Sequence, residues 1–142
     1  MGVDMSMPDD VIVAKSASIE RAVRRAKEEY VAASQNFAVD RTRQDAAILN
    51  VQRACETAID LAQHWVRIRL LGVPASSRDL FTLLESANII DATLAQSLRH
   101  MVGFKNVAVH EYQPLDLAIL ASIIERELDQ ILRFTSIALR SS

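Results

Sequence analysis

Asp40-Arg-Thr-Arg-Gln-Asp-Ala-Ala-Ile-Leu-Asn-Val-Gln-Arg-Ala-Cys-Glu-Thr-Ala-Ile-Asp-Leu-Ala-Gln-His-Trp-Val-Arg-Ile68 decides the fold of this chain. Ala47, Val51, Ala54, Ala58, Leu61, Trp65 and Ile68 follow one another at alternating steps of four and three. Because residues of an α-helix advance about 100° each, that spacing lines the apolar groups along one side. Asp40 stands where an N-cap belongs, and Gly72-Val-Pro74 follows as a stop signal. The reading is a helix over about 41–70, long for a globular protein. Upstream, Ile12, Ser16, Ile19, Val23, Ala26, Tyr30 and Ala33 repeat the pattern, with Asp9 or Asp10 available as a cap after Pro8, so a first helix is predicted near 9–37. Two such helices joined by a short polar turn read as an antiparallel hairpin, the core of a bundle.

The remainder agrees with an all-α antiparallel bundle of about five helices. Ser76-Ser77 can cap a short third helix carrying Leu80, Phe81 and Leu84, and Asp91 can cap a fourth carrying Leu94, Leu98, Met101 and Val102. The fourth has to stop near Tyr112, since Pro114 lacks an N–H and pushes Gln113 out of the helical region. Pro114 also suits the first turn of a fifth helix, which carries Leu117, Leu120, Ile124, Leu128, Ile131 and Phe134 on one side. No repeat, low-complexity tract or strand pattern interrupts this order.

Composition sets the outer limits. A chain of 142 residues suits a single domain spanning 1–142, with residues 1–8 expected as a frayed start. Three glycines and three prolines, with 50% apolar and 24% charged residues, favour a helical globular protein over a sheet-rich or disordered one. The single Cys55 has no partner within the chain for a disulfide, and no apolar run approaches the roughly 18 residues of a membrane span. The start lacks the basic and apolar regions of a signal peptide, so a cytoplasmic location without a membrane is expected. A net charge of −2 gives no whole-molecule attraction to nucleic acid, so RNA contact would depend on local clusters of the 16 basic residues.

Chemistry gathers in Met101-Val-Gly-Phe-Lys-Asn-Val-Ala-Val-His-Glu-Tyr112, where a cation, an amide, an imidazole and a phenol meet at a predicted helix end. The negative end of the helix dipole favours the imidazolium form of His110. A histidine so placed takes the proton from a ribose 2′-OH as it attacks the adjacent phosphate, or gives one to the leaving 5′-oxygen. A nearby cation then neutralises the phosphoryl oxygens. On an ideal helix Asn106 and His110 share a face, whereas Lys105 and His110 stand about 140° apart. A compact site therefore needs a helix distortion before Pro114, a curled lysine side chain, or a two-fold-related copy. The chemistry needs no metal, and no cluster of carboxylates or histidines has metal-site spacing.

This segment resembles the R-x4-H-x-Y motif of HepT toxins, the ribonuclease branch of the HEPN superfamily. The resemblance extends through the Gln44 to Asn50 region, Ala58-Ile-Asp-Leu-Ala-Gln-His64, Gly72-Val-Pro74, Phe81-Thr-Leu-Leu84 and Leu132-Arg-Phe134. It implies an all-helical HEPN homodimer with motifs facing a shared cleft, acting as the toxin of a type VII-like toxin–antitoxin pair. The implied activity is metal-independent endoribonuclease cleavage, of tRNA by family analogy. The implied catalytic residues are His110 as general base or acid, Lys105 as phosphate-binding cation and Asn106, for which bracing His110 is the favoured role. Lys105 stands where the family has arginine; lysine keeps the charge and loses the planar two-pronged donor, so weaker cleavage, up to its loss, is the expected cost.

Tyr112 carries a second implied role, as the acceptor of AMP from an MntA-type minimal nucleotidyltransferase antitoxin. The antitoxin would hold ATP and Mg²⁺, and this chain no cofactor. The phosphodiester anion and adenine would then occupy the place of the RNA phosphate. A reading from a different class is a non-catalytic HEPN binding module that joins a nucleotidyltransferase and contributes to a nucleotide or RNA site; a third is a dimeric helical scaffold whose polar motif only caps the fourth helix. Elsewhere, Arg41 and Arg43 are RNA-contact candidates if the bundle places their end near the motif. Arg21, Arg24, Arg25 and Lys27 form a patch that Glu20, Glu28 and Glu29 can neutralise at helical spacing. His64, inside the apolar stripe beside Trp65, reads as structural, and His100 as a surface residue.

Overall fold

A computed structural model describes residues 9–110 and 117–141, giving the backbone alone at Ser34 and at 105–110. The first helix, α1, is Asp10–Ala33. Asp9 is its cap, its Oδ1 accepting from the Val11 N–H at 2.8 Å and the Ile12 N–H at 3.2 Å. α1 ends before the predicted 37, because a 3₁₀ turn over Ser34–Asn36 tightens the chain into the reversal. Asp40 then caps α2, Arg41–Ile68, by accepting from the Arg43 N–H. Ser76 caps α3, Ser77–Ser86, and Asp91 caps α4, Ala92–His110, by accepting from the Leu94 N–H at 2.8 Å. The last helix is built of α5, Leu117–Ser122, a π-helical turn, Ile123–Glu127, and α6, Leu128–Ser141. The expected stop near Tyr112 and the frayed start at 1–8 lie outside the described residues.

Two of these helices stop on left-handed residues. Beyond α2 the chain turns at Leu70, φ 53°, and beyond α3 at Asn88, φ 61°. In both, the following N–H reaches back five residues, Leu71 to the Val66 carbonyl and Ile89 to that of Leu84, which satisfies the orphan carbonyls of the final turn. Asparagine tolerates this conformation; leucine adopts it at a cost. Gly72, expected as the stop itself, instead serves close packing with φ 137°, where an added Cβ would lie 3.2 Å from Leu83.

Pairings across the bundle fix its directions. His64 meets Asp9 at one end of α1 and α2, and Arg43 meets Glu29 at the other, so the two are antiparallel as expected. Lys27 binds Asp129, and Arg69 donates to the carbonyl of Ser141, so the last helix runs antiparallel to α1 and parallel to α2. Arg133 binds Asp91 at the start of α4, and six residues of sequence separate the end of α4 from Leu117 at the start of the last helix, so α4 climbs back along it. The C-terminal end of α4 consequently lies at the same end of the bundle as the α1–α2 turn.

The core is continuous across the helices. Phe134 lies 5.7 Å from both Trp65 and Phe81, joining α6, α2 and α3 through three fully buried rings. The predicted stripes of α3, α4 and α6 are buried as expected. One residue of the α2 stripe is not: Ile68 is 45% exposed, while Val66 is buried. Alternation of three and four is a 3.5-residue repeat, which drifts about 20° per heptad on a 3.6-residue helix. Over the three heptads from Ala47 to Ile68 the accumulated rotation carries the last stripe residue off the core.

Candidate functional site

The 105–110 segment belongs to the last two turns of α4, and its backbone stays α-helical through His110. Within the described residues, the distortion that would have brought Lys105 round to His110 is absent. Helical register then sorts the segment into two strips. Position 105 continues the strip of buried Leu94, Leu98 and Met101, whereas 106 and 110 continue the strip that holds Arg99 and Gly103. Asn106 and His110 thus share a strip, and Lys105 stands on another, about 140° from His110. Tyr112, the expected acceptor of AMP, lies outside the described residues.

α3 flanks the Arg99–Gly103 strip. Arg99 Nη1 donates to Glu85 Oε1 at 3.0 Å and, at 3.4 Å, to Thr82 Oγ1. Arg78 crosses from the first turn of α3, its Nε donating to the Arg99 carbonyl at 3.3 Å. Its guanidinium fills the space that a side chain at Gly103 would take, with Nη2 only 2.7 Å from the position of an added Cβ. Sequence reasoning passed over Arg78; the signal that pointed to it was a lone glycine inside a helical pattern, a mark of close approach.

The end of the bundle nearest the motif is held by a buried carboxylate. Glu29, with its side chain 8% exposed, accepts from Arg43 Nη1 at 2.7 Å and from Arg25 Nη2 at 3.0 Å. The Arg43 hydrogen bond leads in holding the Glu29 carboxyl below the usual carboxylate range. Arg43 therefore braces the α1–α2 turn, while Arg41, two residues earlier and about 200° round α2, is exposed. Tyr30 closes the same end, its ring 4.9 Å from Phe37, with burial first and Glu125 second raising its hydroxyl above the usual range. In the basic patch of α1, Arg25 pairs with Glu28 and Glu29, whereas Lys27 reaches across to Asp129 instead of a glutamate of its own helix.

The other two histidines are settled by their surroundings. His64 lies 2.8 Å from Asp9, with its side chain 17% exposed, and so ties the α1 cap to α2. That hydrogen bond is the leading cause of the lowered Asp9 carboxyl. His100 is exposed. Among the described residues no group of three or more histidine, cysteine or carboxylate side chains is arranged to hold a metal ion. No helix among them is long and apolar enough to cross a membrane.

Comparison with known proteins places this architecture. Residues 19–137 match the family model described as ribonuclease HepT-like. The mRNA nuclease HepT of Shewanella oneidensis is 43% identical over 129 residues, covering 91% of this chain and 96% of the relative. The tri-AMPylated Shewanella oneidensis HEPN toxin, solved in complex with its MNT antitoxin, superposes with a TM-score of 0.86 at 42% identity, covering 94% of this chain and 99% of the other. A toxin–antitoxin complex crystallised with AMP-PNP gives a TM-score of 0.87 at 41% identity, covering 94% and 100%. The all-α bundle built from the apolar stripes, with the Lys105 to His110 segment closing α4, is that of a member of the HepT-like ribonuclease family of HEPN proteins.

Proposed function

We propose that this chain is the toxin of a HEPN and minimal-nucleotidyltransferase pair, an endoribonuclease silenced by AMP transfer to Tyr112. The observation that carries the reading is the Lys-Asn-x3-His-x-Tyr segment, from Lys105 to Tyr112, whose first six residues end α4, in a chain that belongs to the HepT-like family over residues 19–137. His110 takes the proton of the ribose 2′-OH or protonates the leaving 5′-oxygen, and Asn106, one turn away on the same strip, braces the imidazole. Lys105 neutralises the phosphoryl oxygens. Since it stands on a different strip, the reading favoured over a lysine curled round its own helix is that the cation and imidazole of one site come from two copies of the chain across a two-fold axis. The Shewanella relative bears the name of an mRNA nuclease, while the family analogy points to tRNA; the proposal covers RNA of both kinds.

The partner follows from the same likeness. The related toxin is tri-AMPylated and bound to an MNT antitoxin, and here that antitoxin would bring ATP and Mg²⁺. AMP on Tyr112 adds a phosphodiester anion beside the site, which repels the RNA backbone and fills its place.

The test is cleavage of total tRNA and of an mRNA, with EDTA present, by this chain, Lys105→Arg and His110→Ala, each confirmed folded. Cleavage by the first two and none by His110→Ala is the expected result. Lys105→Arg should be faster on the order of tenfold, the worth of one more charge-assisted hydrogen bond. Cleavage that survives His110→Ala, or that EDTA abolishes, overturns the mechanism. If no variant cuts, the chain is a binding module for its nucleotidyltransferase.

A further inference from the structure

We propose that Arg78 is an RNA-binding residue, gripping a phosphate that flanks the scissile one; this rests on the ribonuclease reading above. Three observations lead to it. First, Gly103 lies inside α4, where glycine is less favourable than alanine, and the space it leaves is occupied by the Arg78 guanidinium. Second, among the described residues no carboxylate neutralises Arg78. Its neighbour Asp79 is engaged with the Ala75 N–H at 2.9 Å, and Glu85 is taken by Arg99 at 3.0 Å. Arg78 itself is exposed and, among the described residues, donates through Nε to the Arg99 carbonyl, with neither terminal nitrogen engaged there.

Third, the guanidinium lies on the strip of α4 that register continues to positions 106 and 110. Gly103 and His110 are seven residues apart, about 10.5 Å along the axis and within about 20° of each other around it. Two turns is too far for Arg78 and His110 to share one phosphate, and suits successive positions along one RNA backbone. Arg78 also supplies what Lys105 lacks, a planar fork that matches two phosphate oxygens at once. The RNA would thus follow the α3–α4 side of the chain toward the motif.

The experiment measures binding of a fluorescein-labelled single-stranded RNA by anisotropy over a range of salt concentrations. All proteins carry His110→Ala to prevent cleavage, and the parent is compared with added Arg78→Ala, Arg78→Lys or Gly103→Ala. Arg78→Ala should weaken binding about tenfold and lower the salt slope by about 0.7, one single-strand phosphate contact, with an unchanged melting temperature. Arg78→Lys should keep the slope, because the charge remains. Gly103→Ala keeps the arginine but displaces its head, and should bind more weakly than the parent and more tightly than Arg78→Ala. An Arg78→Ala protein with the parent's affinity and slope overturns the proposal, and parent-like binding by Gly103→Ala overturns the role given to the glycine. A parent that does not bind RNA overturns the ribonuclease reading itself, and Arg78 with it.

Discussion

Mixing two inactive variants tests whether one active site is shared between two chains. The α4 backbone is helical through His110, so Lys105 and His110 are five residues apart and about 140° round the helix. A site that draws its cation from one chain and its imidazole from the other makes a numerical claim. Lys105→Ala and His110→Ala proteins should each be inactive alone. After unfolding and refolding together in equal amounts, random pairing makes about half of the dimers mixed. In a mixed dimer one site has lost both groups and the other retains both, so the mixture should recover about a quarter of the parent rate. If instead each chain supplies both groups to its own site, every site in a mixed dimer lacks one of them, and no activity returns. The assay is the initial rate on labelled tRNA or mRNA, with subunit exchange followed by mass spectrometry of differently tagged chains. A mixture that exchanges fully yet cuts no faster than either variant refutes the shared site.

Other expectations concern the framework. Leu70→Gly should stabilise the protein by about 0.5–1 kcal/mol in urea denaturation, because a leucine held at φ 53° and 89% exposed gives up strain and loses little packing. Phe134→Ala should cost about 3–5 kcal/mol, and lower the melting temperature by about 10–17 °C, since the removed ring touches Trp65 and Phe81 in a fully buried site. Asp9→Ala should cost about 1 kcal/mol of stability through loss of the α1 cap. The Asp9 carboxyl is held below its unfolded value, so its contribution is present above the ordinary carboxylate range and fades as pH falls through and beneath it. Urea midpoints measured from neutral pH down to pH 3 should therefore converge between the parent and Asp9→Ala, and a constant gap would refute the linkage.

The apolar stripes alone specified the bundle. Steps of three and four along 12–33, 47–65, 80–84, 94–102 and 117–134 admit no strand, and Asp9, Asp40, Ser76 and Asp91 mark the helix starts because each offers a side-chain oxygen to N–H groups that the helix cannot satisfy. The Lys105 to Tyr112 motif was equally legible, being local in sequence. What the sequence left open was decided by long-range packing. Register drift turned Ile68 outward, and Leu70 took the left-handed position that Gly72 seemed made for. Glu29, one carboxylate among several on α1, became the buried clamp of Arg43 only once α2 folded back beside it. Arg78 and Gly103 are 25 residues apart, and the lone glycine marks a close approach without saying which residue makes it. Only the docking of α3 on α4 places a guanidinium in the gap that the glycine leaves, on the strip that leads to His110.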